Sequence, residues 1–297
     1  MSRKLHIFKV RFPAPLDIPA SLEPLRRSGD DLIDRWDGRV LVRTTRVAGK
    51  AVPFSCTTIG TVNEPALEVR VGHSRHGPAV KQVAEAMFVS APGPLAELAA
   101  ADPVITRLER RYRGIRPVLQ VDLLTALVRS ISAQQVNLKW AATTRSRLAR
   151  ALGRRRTVGK HQVFSLEADR IAAASVAEIR ALQFTTRKAE YLIALAEAVA
   201  NGTLSFDGLR KLSDAEVIAR LTALRGIGQW TAEWFLARAL GRPRVAAGDL
   251  GVRKAVGAAY LKGRLPSETE VRKLTAHWGG AAGVAQQLLL HARSAGV

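Results

Sequence analysis

Asp249 follows Gly248 and opens an apolar stretch that begins Leu250-Gly251-Val252. Upstream, Trp230 and Trp234 stand four residues apart, and before them Gly226-Ile227-Gly228 interrupts two helix-forming runs. Each group offers a chemistry. Two glycines around one apolar residue permit a tight turn, and the free amides of that turn and of the following helix converge as an anion site, reinforced by the helix dipole. A phosphate fits there without any basic side chain, although an ordinary corner between two helices would use the same residues. Asp249 is suited to be the N-cap of the next helix or a carboxylate held at a reacting centre, and one residue can do both. Trp230 and Trp234 share one helix face, so they either pack into a core or wall a pocket.

Helices must position these groups. Ser213 and Glu216 form a capping box ahead of an apolar-periodic run to Leu224; Trp230 to Leu240 gives a second helix, closed by Gly241-Arg242-Pro243. Ser175 with Glu178 and Ser267 with Glu270 repeat the capping box. Leu95–Ala100, Pro103–Tyr112, Leu138–Leu152 and Arg187–Asn201 also read as helices, as does the run of Leu123, Leu124, Leu127, Val128 and Ile131 that leads to Gln134-Gln135. Residues 95–297 are expected to be helical, with no second strand-rich segment. The first ninety residues differ. Residues 5–10, Gly38–Val47, Ala51–Gly60 and Ala66–Val71 have strand character, with short helices near Leu22 and over Ala79–Val89. The expected fold class is therefore mainly α: an α+β domain with an antiparallel sheet over residues 1–92, then an all-α domain over residues 93–297.

Charge narrows the function. Forty-six Lys and Arg against 25 Asp and Glu give a net charge of +21 and a pI near 11.3. Such an excess attracts polyanions, nucleic acid above all. The single cysteine, Cys56, excludes an internal disulfide and any cysteine-ligated zinc or iron–sulfur centre; it reads as a core or strand residue. His73 and His76 have no acidic or cysteine partner nearby to complete a metal site. The arginines between Arg145 and Arg156 would track a DNA backbone or form a solvated helix face with a basic loop. Met1 to His6 lack the apolar core of a secretion signal, and no run of about 18 apolar residues is present. A cytoplasmic, DNA-associated protein with no membrane span is expected.

The segment Leu224-Arg-Gly-Ile-Gly-Gln-Trp-Thr-Ala-Glu-Trp234, followed by Gly248-Asp249, resembles the helix-hairpin-helix/Gly-Pro-Asp superfamily of DNA base-excision glycosylases. The resemblance extends over roughly residues 100–292, through Leu127–Val136, Arg187–Tyr191 and His277–Ala285. The preceding α+β domain is similar to the extra domain of the 3-methyladenine DNA glycosylase II branch. This implies an all-α helix-hairpin-helix glycosylase core in which backbone amides around Gly226, Gly228 and Thr231 hold a DNA phosphate. Carbonyls of Thr222, Leu224 and Ile227 would bind a monovalent cation, K+ or Na+, with no cofactor required for the chemistry. Asp249 would be the catalytic carboxylate, Gln135 the residue inserted where a nucleotide flips out, and Trp230 and Trp234 the lining of the base pocket.

Cleavage of an N-glycosidic bond builds positive charge on the sugar, which a fixed carboxylate stabilises while it orients water. Relatives that also cut the strand carry a lysine just after the glycine turn; Trp230 stands there, which implies a monofunctional hydrolase. N-alkylated purines such as 3-methyladenine and 7-methylguanine are cationic leaving groups, extruded from duplex DNA and favoured by aromatic faces. The expected partner is double-stranded DNA containing damaged bases, met by a monomer. Leu290 and His291 replace an aromatic residue often found near the end of the last helix, so deaminated or oxidised bases are alternative substrates. A non-catalytic helix-hairpin-helix DNA-binding protein is the other alternative.

Overall fold

The computed structural model describes residues 5–296. Five strands form one antiparallel sheet: β1 (His6–Arg11), β2 (Arg35–Trp36), β3 (Val40–Val47), β4 (Lys50–Thr58) and β5 (Ala66–Val71), in the order β1-β5-β4-β3-β2. The alternation that marks β5 leaves Leu67, Val69 and Val71 fully buried. They pack with Phe54, Leu41 and Val10 beneath α1 (Ile18–Arg27) and α2 (Gly77–Glu85). Cys56 lies in this core, where burial pushes its thiol up to about 12.

Thirteen helices follow: α3 (Pro92–Ala101), α4 (Pro103–Arg111), α5 (Leu123–Ala133), α6 (Leu138–Leu152), α7 (Ala168–Ala172), α8 (Val176–Ala181), α9 (Thr186–Ala200), α10 (Phe206–Arg210), α11 (Asp214–Thr222), α12 (Gln229–Arg238), α13 (Leu250–Tyr260), α14 (Glu268–Leu274) and α15 (Ala282–Ser294). The capping boxes at Ser175, Ser213 and Ser267 all form. The helices build two cores. One unites α5 and α6 with α9, α11 and α12, through residues such as Leu127, Ile131, Leu192, Leu221 and Leu236; the other joins α3 and α4 to α13 and α15, around Ile105, Val256, Trp278 and Leu288. Among the described residues no helix is long and apolar enough to cross a membrane.

The expectation of helices alone over residues 95–297 fails at one place. Gly153–Val158 (β6) and His161–Leu166 (β7) form an antiparallel hairpin turned at Gly159-Lys160. Its apolar face, Val158 and Val163, packs on Val42 of the amino-terminal sheet. Arg154 and Arg155 remain exposed, while Arg156 pairs with Glu167 at 3.1 Å. A strand with three consecutive arginines has the composition of a basic loop; the small apolar face decides otherwise.

Arg145 also departs from a DNA-facing cluster. It is 4% exposed, with Nε 2.9 Å from Asp31 and an Nη1 hydrogen bond to Ser132 Oγ. Arg129 bridges Asp31 at 2.8 Å and Asp34 at 3.0 Å, and Arg43 reaches Asp34 at 2.9 Å. Two aspartates and one arginine of the amino-terminal segment thus interlock with two arginines of α5 and α6. Burying these charges is costly, and their mutual attraction offsets it only while the set is complete.

Candidate active site

α12 carries the site's sequence logic. Its N-cap is Gly228, which has no side chain to satisfy the first amides, and Ala232 is the first to close an intrahelical bond, to the Gly228 carbonyl at 3.1 Å. The amides of the first turn therefore keep their anion-binding capacity. The turn is possible because Gly226 adopts φ +86°, and its missing side chain leaves room for the ring of Tyr191, with which any Cβ would collide. Gly228 and Gln229 are exposed and Gly226 is partly so. Thr231, further in, is wholly buried, and its Oγ1 has no hydrogen-bond partner among the described residues. Thr222 ends α11; the Leu224 carbonyl accepts from the Ile227 amide at 3.1 Å, and Ile227 is buried beneath the turn.

The hairpin is tied to a second loop. Gln134 Nε2 donates to the Gly226 carbonyl at 2.8 Å, and Lys188 Nζ donates to the carbonyls of Ser132 and Gln134 at 3.0 and 2.7 Å. Burial holds the Lys188 ammonium below its ordinary pKa. Clamped this way, the chain turns through Gln135 at φ +55°, a left-handed conformation unusual for a side-chain-bearing residue. Gln135 to Trp140 are exposed, including Val136, Leu138 and Trp140.

Between the two helical cores lies a cavity of about 1070 Å³. The Gln134–Leu138 loop, Trp230, Trp234, Gly248–Gly251, Leu290 and His291 are among the residues that line it. Among the described lining residues, Asp249 is the one acid. Its Oδ1 accepts from the Val252 amide at 2.8 Å, so it is an N-cap. Its Oδ2 accepts from the indole N–H groups of Trp230 at 3.0 Å and Trp234 at 3.3 Å. Both oxygens are engaged, which fixes the carboxylate at the cavity wall. Besides lining the cavity, the tryptophans orient the acid through their nitrogens. Leu290 and His291 do line the cavity; His291 is half-buried, packs edge-on to Tyr112 and is held below the ordinary imidazole pKa by burial and by Arg27.

Arg238 was not marked out by composition, although it continues the Trp230–Trp234 stripe at the next i+4 position. Its guanidinium lies 5.0 Å from the Trp234 ring centroid, so the protein's own cation covers one face of that ring. Elsewhere, His73 accepts from the Arg75 amide, and among the described residues no cluster of three or more His, Cys, Asp or Glu is positioned to hold a metal ion.

Residues 128–280 match the profile of the family described as "HhH-GPD superfamily base excision DNA repair protein". Over 187 residues the chain is 29% identical to DNA-3-methyladenine glycosylase of Bacillus subtilis (strain 168), covering 62% of this chain and 62% of that protein. It is 32% identical over 146 residues to DNA-3-methyladenine glycosylase 2 of Escherichia coli (strain K12), covering 49% and 48%. The matches thus span less than two thirds of these relatives' lengths. The solved structure of 3-methyladenine DNA-glycosylase from Archaeoglobus fulgidus superposes with a TM-score of 0.85 over 97% of this chain and 98% of that one, at 22% identity, a likeness of fold. With the glycine hairpin, the following helix and the carboxylate-bearing loop all inside or beside the matched segment, the chain belongs to the HhH-GPD superfamily of base excision DNA repair proteins.

Proposed function

We propose that this chain is a monofunctional DNA glycosylase that hydrolyses the N-glycosidic bond of alkylated purines, 3-methyladenine and 7-methylguanine, in duplex DNA. The observation that carries the reading is the fixed Asp249 carboxylate, the one acid among the described residues lining a cavity bordered by the hairpin helix. The names of the Bacillus subtilis and Escherichia coli relatives support the alkylated-base assignment.

In this reading the backbone amides around Gly226, Gly228 and Thr231, at the mouth of α12, grip a phosphate beside the lesion. The carbonyls of Thr222, Leu224 and Ile227 belong to a helix end and its turn, where partial negative charge collects; neutral oxygens of this kind suit K+ or Na+. Such an ion would help neutralise the gripped phosphate. Gln135 projects from the strained loop to fill the gap left by the extruded nucleotide. As the bond from C1′ to the base nitrogen breaks, the electron pair leaves with the base and the sugar becomes cationic. Asp249 stabilises that charge and takes a proton from the water whose oxygen bonds to C1′. Trp230 stands where a strand-cutting enzyme would need an amine, so water is the nucleophile. The protein acts as a monomer on DNA in the cytoplasm.

Release of 3-methyladenine and 7-methylguanine from methylated duplex DNA tests the reading. Asp249→Asn should slow release about 100-fold or more; a variant as active as the wild type would sink the mechanism.

A further inference from the structure

Arg238 has no role in that mechanism. Trp230, Trp234 and Arg238 follow one another at intervals of four on α12, so all three present to the same cavity. The Arg238 Nη2 donates to Gln287 Oε1, and among the described residues no carboxylate lies within salt-bridge distance of the guanidinium. Burial pushes its pKa down to about 10, with Asp249 opposing the shift. A guanidinium carries five N–H donors, and a single acceptor, that of Gln287, takes one of them here. An arginine held in a half-buried site without a carboxylate partner is costly unless its donors are used. The backbone amide of Gln120 donates to the backbone carbonyl of Arg238 at 2.7 Å; Gln120 also lines the cavity, and its Oε1 is buried with no partner among the described residues.

We infer that Arg238 is a specificity-determining residue that donates hydrogen bonds to the exocyclic oxygen of a flipped 6-oxopurine, with Gln120 Oε1 accepting from the adjacent ring N–H. The inference rests on the glycosylase reading and refines its substrate range. A 6-oxopurine such as 7-methylguanine presents an oxygen acceptor beside an N–H donor, matching this pair. An adenine-type lesion presents an amino donor beside a ring-nitrogen acceptor and meets it with like against like. Such a mismatch leaves buried polar groups unpaired, which discriminates strongly.

Duplex DNA treated with dimethyl sulfate contains both lesions, so one reaction reports both release rates. Arg238→Met should lower the ratio of 7-methylguanine to 3-methyladenine release about tenfold or more relative to the wild type, whereas Arg238→Lys, which keeps a charged donor, should lie between. A purely structural Arg238 would reduce both rates together; an unchanged ratio in both variants overturns the inference. The wild type supplies an independent check: free hypoxanthine should inhibit at about tenfold lower concentration than free adenine, and equal inhibition contradicts the assignment. Wild-type protein that releases neither base overturns the glycosylase reading and this inference with it, whereas release of both at a variant-insensitive ratio overturns the inference alone.

Discussion

Replacing Gly226 with alanine puts the hairpin geometry to a quantitative test. The added Cβ meets Cγ, Cδ2 and Cε2 of Tyr191 well inside contact distance, and the backbone sits at φ +86°. The left-handed conformation costs an alanine about 1–2 kcal/mol, and relieving the overlap adds about 1–3 kcal/mol. At roughly 2–4 °C per kcal/mol for a chain of this size class, the melting temperature should fall by about 4–20 °C. The shift also displaces the carbonyl that accepts from Gln134 Nε2, so duplex affinity should fall at temperatures where the variant is still folded. Gly228 is the internal control: its φ is −94° and a Cβ there meets nothing within 4 Å. Gly228→Ala should stay within about 0.5 kcal/mol of the wild type. Differential scanning calorimetry of both variants, and of Gly226→Ala combined with Tyr191→Ala, separates the two costs. The double variant should be less destabilised than the sum of its parts, since removing the ring removes the overlap and leaves the backbone strain. A Gly226→Ala protein melting within about a degree of the wild type, or a Gly228→Ala protein equally destabilised, would refute the reasoning.

The interlocked charges give a pH-dependent prediction. Burial raises the Asp31 pKa, but Arg129 and Arg145 outweigh it and hold the carboxyl below its ordinary value. Its stabilising contribution is therefore present above the unfolded carboxyl pKa of about 3.9 and is lost as pH falls through the lower folded value. Asp31→Asn should cost about 3–5 kcal/mol at neutral pH, with the difference narrowing in acid; urea titrations that give the same gap at both pH values would contradict it. Duplex binding should weaken about 10²–10³-fold between 50 and 200 mM salt if some five phosphates are neutralised, and a flat affinity would remove the electrostatic account of the net charge.

Features set by local rules were legible in the sequence. The three capping boxes, the glycine pair and the carboxylate after Gly248 depend on residues within a few positions of one another, and each lies where its local chemistry places it. Features set by distant partners were not. Arg145 looks like a solvent-facing arginine until Asp31, from the other end of the chain, is packed against it. The β6–β7 hairpin hides because Arg154 and Arg155 stay exposed, Arg156 is satisfied by Glu167, and the apolar face is only Val158 and Val163 against Val42. The helical stripe of Trp230 and Trp234 was visible, but the use of both indole nitrogens to hold Asp249 was not, because that needs the intervening loop to fold back. Arg238 hides for a related reason: in a chain with so many arginines, one that is drawn into a cavity carries no mark of composition.

Hydrolysis at Asp249 with water as the nucleophile is tested by product analysis. Wild-type protein incubated with methylated duplex DNA should release free alkylated purine, leave the strand intact at the resulting abasic site, and yield no covalent complex on addition of borohydride. Absence of base release would contradict the account, and so would a borohydride-trapped protein–DNA adduct accompanied by strand cleavage.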